Sequence, residues 1–280
     1  MKKISSLFSF LLFISCQNFG QLTLLDDLPK KLKEVSGIEI TTGSDLIWMI
    51  NDSGNKAKLY GISKNGKISK EISVKTKNND WEDLTSDEEG NIYIGDFGNN
   101  ESDRKNLRVL KINKKYLSKR KAKVERIRFE YENQKDFSPK KKKMLFDAEA
   151  FFYFNKNIYV FTKSRVKNKY GKTFLYRFPA EKGNHVAQLI GEYKNCKELS
   201  CWITSADISQ DGKKVVLLSQ KNILIFTDFK EDNFLEGSVK EIELLNNTQK
   251  EAICFIDNNT LLLTDEKSGG EGGNLYQLKI

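Results

Sequence analysis

The chain has one histidine, His185, in 280 residues. That excludes a histidine-rich metal site and leaves a Ser-His-Asp hydrolase almost nothing to be built from. Only three prolines are present, too few for a linker-rich disordered chain. DxDxDG calcium loops, GxxxxGK, GxGxxG at a strand-to-helix turn, HExxH and paired CxxC are all missing, so nucleotide hydrolysis, dinucleotide redox chemistry and zinc chemistry fall away. The glycines of SGGEGG, just before the C-terminal apolar run, read as a hairpin loop. No stretch of ten or more residues carries an apolar period of 3.6, which excludes a helical fold. Arginine is scarce, 7 against 40 lysines, and strongly hydrated ammonium groups suit solubility better than bidentate phosphate reading; no nucleic acid partner is expected.

What is present is a chain with 39% hydrophobic and 30% charged residues and a mean hydropathy of −0.54, enough for a core and too polar for a polytopic membrane protein. The net charge of +9 is uneven. Residues 104–143 hold 17 Lys/Arg against 4 Asp/Glu, a local +13, so the remainder sums to −4. This basic stretch reads first as a solvated surface and second as an anion-binding patch.

Lys2 and Lys3 followed by the apolar run Ile4 to Ile14 have the form of a secretory signal, with a core too short to span a bilayer. Residues 1–20 are read as the signal and 21–280 as one domain. Leu12-Phe13-Ile14-Ser15-Cys16 resembles a bacterial lipobox, which would lipidate Cys16; ordinary cleavage near Gly20-Gln21 is the alternative. Either way the protein is expected to be exported, as a membrane-anchored lipoprotein of the cell envelope or as a periplasmic or secreted monomer. In that oxidising setting Cys196 and Cys201, in CKELSC, can bridge, and Cys254, inside AICFI, behaves as a buried hydrophobe.

The fold is decided by a repeat. Ser36-Gly37-Ile38, Glu82-Asp83-Leu84, Glu149-Ala150-Phe151, Ala206-Asp207-Ile208 and Glu251-Ala252-Ile253 share one pattern, each followed by a turn signal and a β-rich run such as EEGNIYIGDFGNN or SQDGKKVVLLSQK. Asn/Asp/Gly pairs between runs of Val, Ile, Leu and Tyr are hairpin signals. Third strands are expected at 59–63, 107–112, 173–178, 222–226 and 274–280, and fourth strands at 68–74, 124–131, 186–193 and 239–244. The repeat starts lie near the per-blade spacing of β-propellers. The expectation is an all-β propeller of five four-stranded blades, six being the alternative. The last unit lacks a fourth strand, so QLTLLDDL near the N-terminus should pair beside NLYQLKI and close the ring.

EAFF, EAIC and WEDL at blade starts, with GNIYIGDFGNN, resemble the exported propellers grouped as SdiA-regulated-like proteins, relatives of the esterase-like phytase propellers, over about residues 34 to 278. The resemblance implies acidic residues facing a central channel, sometimes with calcium, and no settled activity. Ser36 and Ala206 stand where that pattern has Glu.

Independently, innermost strands line a propeller's channel, so Glu82, Glu149 and Glu251 should meet there, with Asp83 and Asp207 in the same set. Converging carboxylates repel until a proton or a hard cation such as Ca²⁺ relieves them, unless each caps backbone amides instead. Asp52, Asp96, Lys163, Arg165, Asp265 and Lys267, at the ends of second strands, should gather at one mouth of the ring, although NDSGN and GDFGNN are also ordinary turn chemistry. Trp48, Trp81 and Trp202 read as core packing rather than a sugar platform. Two functions are carried forward. One is an envelope scaffold binding a partner protein or glycan at one mouth; the other is a calcium-assisted hydrolase of phosphate or lactone-like esters, with Lys163 and Arg165 holding the anion.

Overall fold

The computed structural model describes residues 20–63, 65–245 and 248–280. The signal segment up to residue 19, including Cys16, lies outside them. Within the described residues every regular element is a strand or a short 3-10 turn, and no helix is long and apolar enough to cross a membrane.

The strands form five antiparallel four-stranded units. Sheet one holds Val35–Glu39, Ile47–Asn51, Lys58–Ile62 and Ile68–Val74. Sheet two holds Trp81–Ser86, Ile92–Asp96, Arg108–Ile112 and Glu125–Tyr131. Sheet three runs through Asp147–Phe154, Asn157–Lys163, Lys172–Pro179 and Gly183–Lys194. Sheet four runs through Ile203–Ile208, Val215–Ser219, Asn222–Thr227 and Ser238–Glu243. Sheet five has Lys250–Asp257, Thr260–Asp265 and Asn274–Lys279, and its fourth strand is Thr23–Asp27 from the other end of the chain, antiparallel to Asn274–Lys279.

The first strands touch in cyclic order, one to two, two to three, three to four, four to five and five to one. The core follows that ring, because each sheet is apolar on both faces and buries them against its two neighbours. Phe97, Phe129 and Phe151 pack between sheets two and three, and Phe152, Phe226 and Phe234 between three and four. Leu218, Ile253 and Tyr276 fill the four–five gap, Ile38 and Leu262 the five–one gap, and Trp48, Trp81 and Leu110 the one–two gap. The result is an all-β, propeller-like ring around a channel.

The basic stretch that runs from the third strand of sheet two toward sheet three does something the sequence did not announce. Lys121–Ala122 pairs parallel with the outer edge of sheet one, and Glu125–Tyr131 pairs parallel with Gly183–Lys194 of sheet three. Both pairings cover outer edges that would otherwise offer unpaired backbone groups. Lys140 to Lys143 form an exposed turn.

Candidate functional site

Each first strand begins with a register shift: Val35 faces Asn51 and then Gly37 faces Ile50; Ile203 faces Ser219 and then Ser205 faces Leu218; Lys250 faces Asp265 and then Ala252 faces Thr264. A bulge of this kind re-aims the extra residue toward the channel end. It also corrects the repeat in sheet four, where Thr204-Ser205-Ala206, and not Ala206-Asp207-Ile208, occupies the motif position. Asp207 therefore lies deeper along the strand and leaves the Glu82 set.

At the end of the channel where these strands begin, Asp52, Asp80 and Glu82 bring carboxylate oxygens within 4.8 Å of one another. Asp52 follows the second strand of sheet one, Asp80 precedes the first strand of sheet two, and Glu82 sits at that strand's bulge. Glu82 is 9% exposed and makes no hydrogen bond or ion pair with any described residue. The chain passes it so closely at Gly98 that a Cβ there would meet Glu82 Oε1 and Asp80 Oδ2 and push both carboxylates aside. Burial and the charges of Glu149, Asp52 and Asp80 push Glu82 well above the usual carboxylate range. Burial and Asp52 raise Asp80 to about 6.

Across the opening, sheet three supplies both charges of an ion-pair group. Lys163 bonds Glu149, and Arg165 donates from Nε to Asp147 Oδ2 at 2.7 Å and from a terminal nitrogen to Glu149 Oε1 at 3.4 Å. Burial lowers Lys163, but Glu149, Glu251 and Asp147 more than offset it and hold the ammonium charged. Trp202 covers the pair: the Lys163 Nζ and the Arg165 guanidinium each lie 4.8 Å from its ring, and its Nε1 donates to Ser164 O at 2.5 Å. Cys196 and Cys201 are joined in a disulfide, Cα atoms 5.6 Å apart, which fixes the segment leading into Trp202. Trp202 is thus half-buried at the opening and not a core residue, whereas Trp48 and Trp81 are buried in the core. Glu251 completes the group, raised to about 8 by burial despite Lys163, and Glu266 beside it is raised to about 7 by burial and Asp52.

Glu82, Glu149 and Glu251 do converge, and Asp52, Lys163 and Arg165 join them. Other expected members do not. Asp83 is fully buried and spends its carboxylate on Leu84 N at 2.8 Å and Ser205 Oγ at 2.9 Å, bracing sheet two against sheet four. Asp96 is fully buried under Arg108 at 2.6 Å and Arg104 at 3.1 Å. Asp265 is fully buried with Lys250 at 3.3 Å and the Tyr276 hydroxyl at 2.8 Å. All three are internal struts rather than mouth ligands. Lys267 stays exposed on the following loop. Sequence reasoning missed Asp80, Asp147 and Glu266, although each lies within two residues of one that it named, in NDWED, DAEA and TDEK.

No family model matches the chain, and no curated protein matches it. Among solved structures it is similar to a chain of a nidogen/laminin complex, at 10% identity over 82% of this chain and 72% of that one, with a TM-score of 0.48. It is also similar to a catalytically inactive virginiamycin B lyase from Staphylococcus aureus with quinupristin, at 13% identity over 90% and 68%, TM-score 0.44. The Kuenenia stuttgartiensis hydrazine synthase aligns at 12% identity over 90% and 59%, TM-score 0.45.

Proposed function

We propose that the chain is a five-bladed β-propeller acting as an exported envelope scaffold, and that the acidic end of its channel is the surface that takes a partner protein or glycan. In this reading the signal segment delivers it and a lipid on Cys16 tethers it. The observation that carries the proposal is Glu82, nine-tenths buried, without a hydrogen-bonding partner among the described residues, and facing Asp52 and Asp80. A buried carboxylate with no partner costs several kcal/mol in its charged form, so it is held for something that arrives from outside. Calcium fits the donor set: Asp52, Asp80 and Glu82 would hold it, with remaining positions left for water or for hydroxyl or carbonyl oxygens of a ligand.

The hydrolase alternative finds less support. Lys163 and Arg165, the cations it needs for an anionic substrate, are engaged by Glu149 and Asp147. The test is thermal melting with calcium chloride and with chelator. At a hundredfold excess over Kd, binding to the native state alone stabilises by about 2.7 kcal/mol. Glu82→Gln should raise the metal-free melting temperature and abolish the calcium response; a melt that calcium does not move would overturn the cation site.

A further inference from the structure

At the opposite end of the channel, where the first strands finish, a cavity of about 560 Å³ opens between the sheets. Glu39 and Asp207 line it. They hold matching register positions, opposite Trp48 and Val216, each three steps along from its strand's opening pair. Glu39 accepts from Ser86 Oγ at 3.1 Å, and Asp207 accepts from Ile208 N at 2.8 Å and Phe255 N at 2.7 Å. The remaining wall mixes hydroxyls with the rings of Tyr153, Phe154 and Phe255 and includes two further carboxylates, Asp87 and Glu88.

Two features distinguish this cavity from a patch of surface acid. No lysine or arginine among the described residues lines it. The nearest candidates are occupied or outside: Lys111 is paired with Asp87 at 3.3 Å, and Lys114 runs past Gly43 at the rim. Thr41 lines the cavity, is 2% exposed, and makes no hydrogen bond through its hydroxyl with any described residue. The Thr85 hydroxyl, also in the wall, is engaged, accepting from Tyr153 N at 3.1 Å. Carboxylates with no lysine or arginine in the same wall, beside a hydroxyl oxygen of Thr41 that accepts no hydrogen bond from any described residue, favour a charged donor from solvent.

We propose that this cavity binds a small organic cation: an ammonium group that donates to Glu39, Asp207 and Thr41 Oγ1, carried on a short apolar body that packs on Phe255 and Tyr153. A hard metal ion is the poorer match, since it needs six to eight oxygens and the rings of Tyr153, Phe154 and Phe255 take part of this wall. Desolvation raises both carboxylates: Glu39, with the charge of Asp207 adding to the effect, stands well above its usual range, and Asp207 rises to about 7 although Phe255 N and Ile208 N oppose it. The ammonium replaces the proton that the empty cavity holds, so binding releases protons near neutral pH.

The intact protein is titrated calorimetrically with benzylamine, with benzyl alcohol as the uncharged body of the same shape, and with calcium chloride, in two buffers of different ionisation heat. Benzylamine should bind, with a heat that differs between buffers because protons leave; benzyl alcohol and calcium should not compete for the cavity. Glu39→Gln and Thr41→Val should each weaken benzylamine about tenfold, the size of one lost hydrogen bond to a charged group. These two carry the test because Asp207→Asn also disturbs two backbone amides; circular dichroism confirms that they fold. The proposal is overturned if benzylamine binds no better than benzyl alcohol, if both variants keep full affinity, or if calcium displaces the amine.

Discussion

The two ends of the channel meet the same electrostatic problem in different ways. Where the first strands begin, Lys163 and Arg165 stand among the carboxylates, so part of the charge is neutralised from within and only the Asp52, Asp80 and Glu82 corner is left open. Where they finish, Glu39 and Asp207 have hydroxyls and backbone amides but no cation lining their cavity, and protons carry the load. Internal counter-charge fixes the Lys163 and Arg165 group, yet Asp80, Glu251 and Glu266 beside it are raised to about 6, 8 and 7, so both ends respond to pH near neutrality and differ in whether a cation is built in.

The comparison breaks most visibly at Lys163. Lys163→Met removes the ammonium from Glu149, Asp147 and Glu251, and leaving buried charge uncompensated should cost about 3–5 kcal/mol in denaturant titrations. A loss below about 1 kcal/mol would mean that the carboxylates at this end are relieved some other way. Gly98→Ala forces a Cβ onto Glu82 and Asp80 and should cost about 1–3 kcal/mol, with a lower calcium affinity at that end and unchanged benzylamine binding at the other. Replacing Cys196 and Cys201 by serine opens a short loop and should cost about 2 kcal/mol, with a change in Trp202 fluorescence as its segment loosens over Lys163 and Arg165.

The dependence on pH sharpens the contrast. Asp207 moves from an ordinary 3.8 to about 7 on folding. The folded state therefore binds the proton more tightly, so this contribution is complete below about 4 and fades as pH rises through about 7. Asp207→Asn should flatten the stability–pH slope over that window, by at most about 1.4 kcal/mol per pH unit for one group. An unchanged slope in urea melts at pH 5, 6, 7 and 8 would remove Asp207 as the titrating group.

Much of the architecture is legible in the sequence because hairpin chemistry is local. Ile68–Val74 is the fourth strand that its alternation and flanking turns specify, and NLYQLKI needed a partner that QLTLLDDL supplies. The misplacement of Asp207 has an equally local cause: a bulge shifts side-chain direction by one step, and a pattern of residue types contains no record of it. Asp96 and Asp265 look like mouth residues because an aspartate ending a strand has the same letter whether it faces solvent or a buried arginine or lysine. Arg104, Arg108 and Lys250 decide the matter, and no spacing rule links them to those aspartates.

By itself the sequence determined the all-β class, the run of strand pairs and the need for the two termini to share a sheet, since periodicity and turn residues act over a few positions. The tertiary structure alone decided which carboxylates share a channel end and which cations reach them. Asp83 and Ser205 bond across 122 residues, and Glu82 faces Asp52 only because sheets one and two pack side by side. Charge effects depend on distance in space and on desolvation, and neither is written in the spacing of residues along a chain.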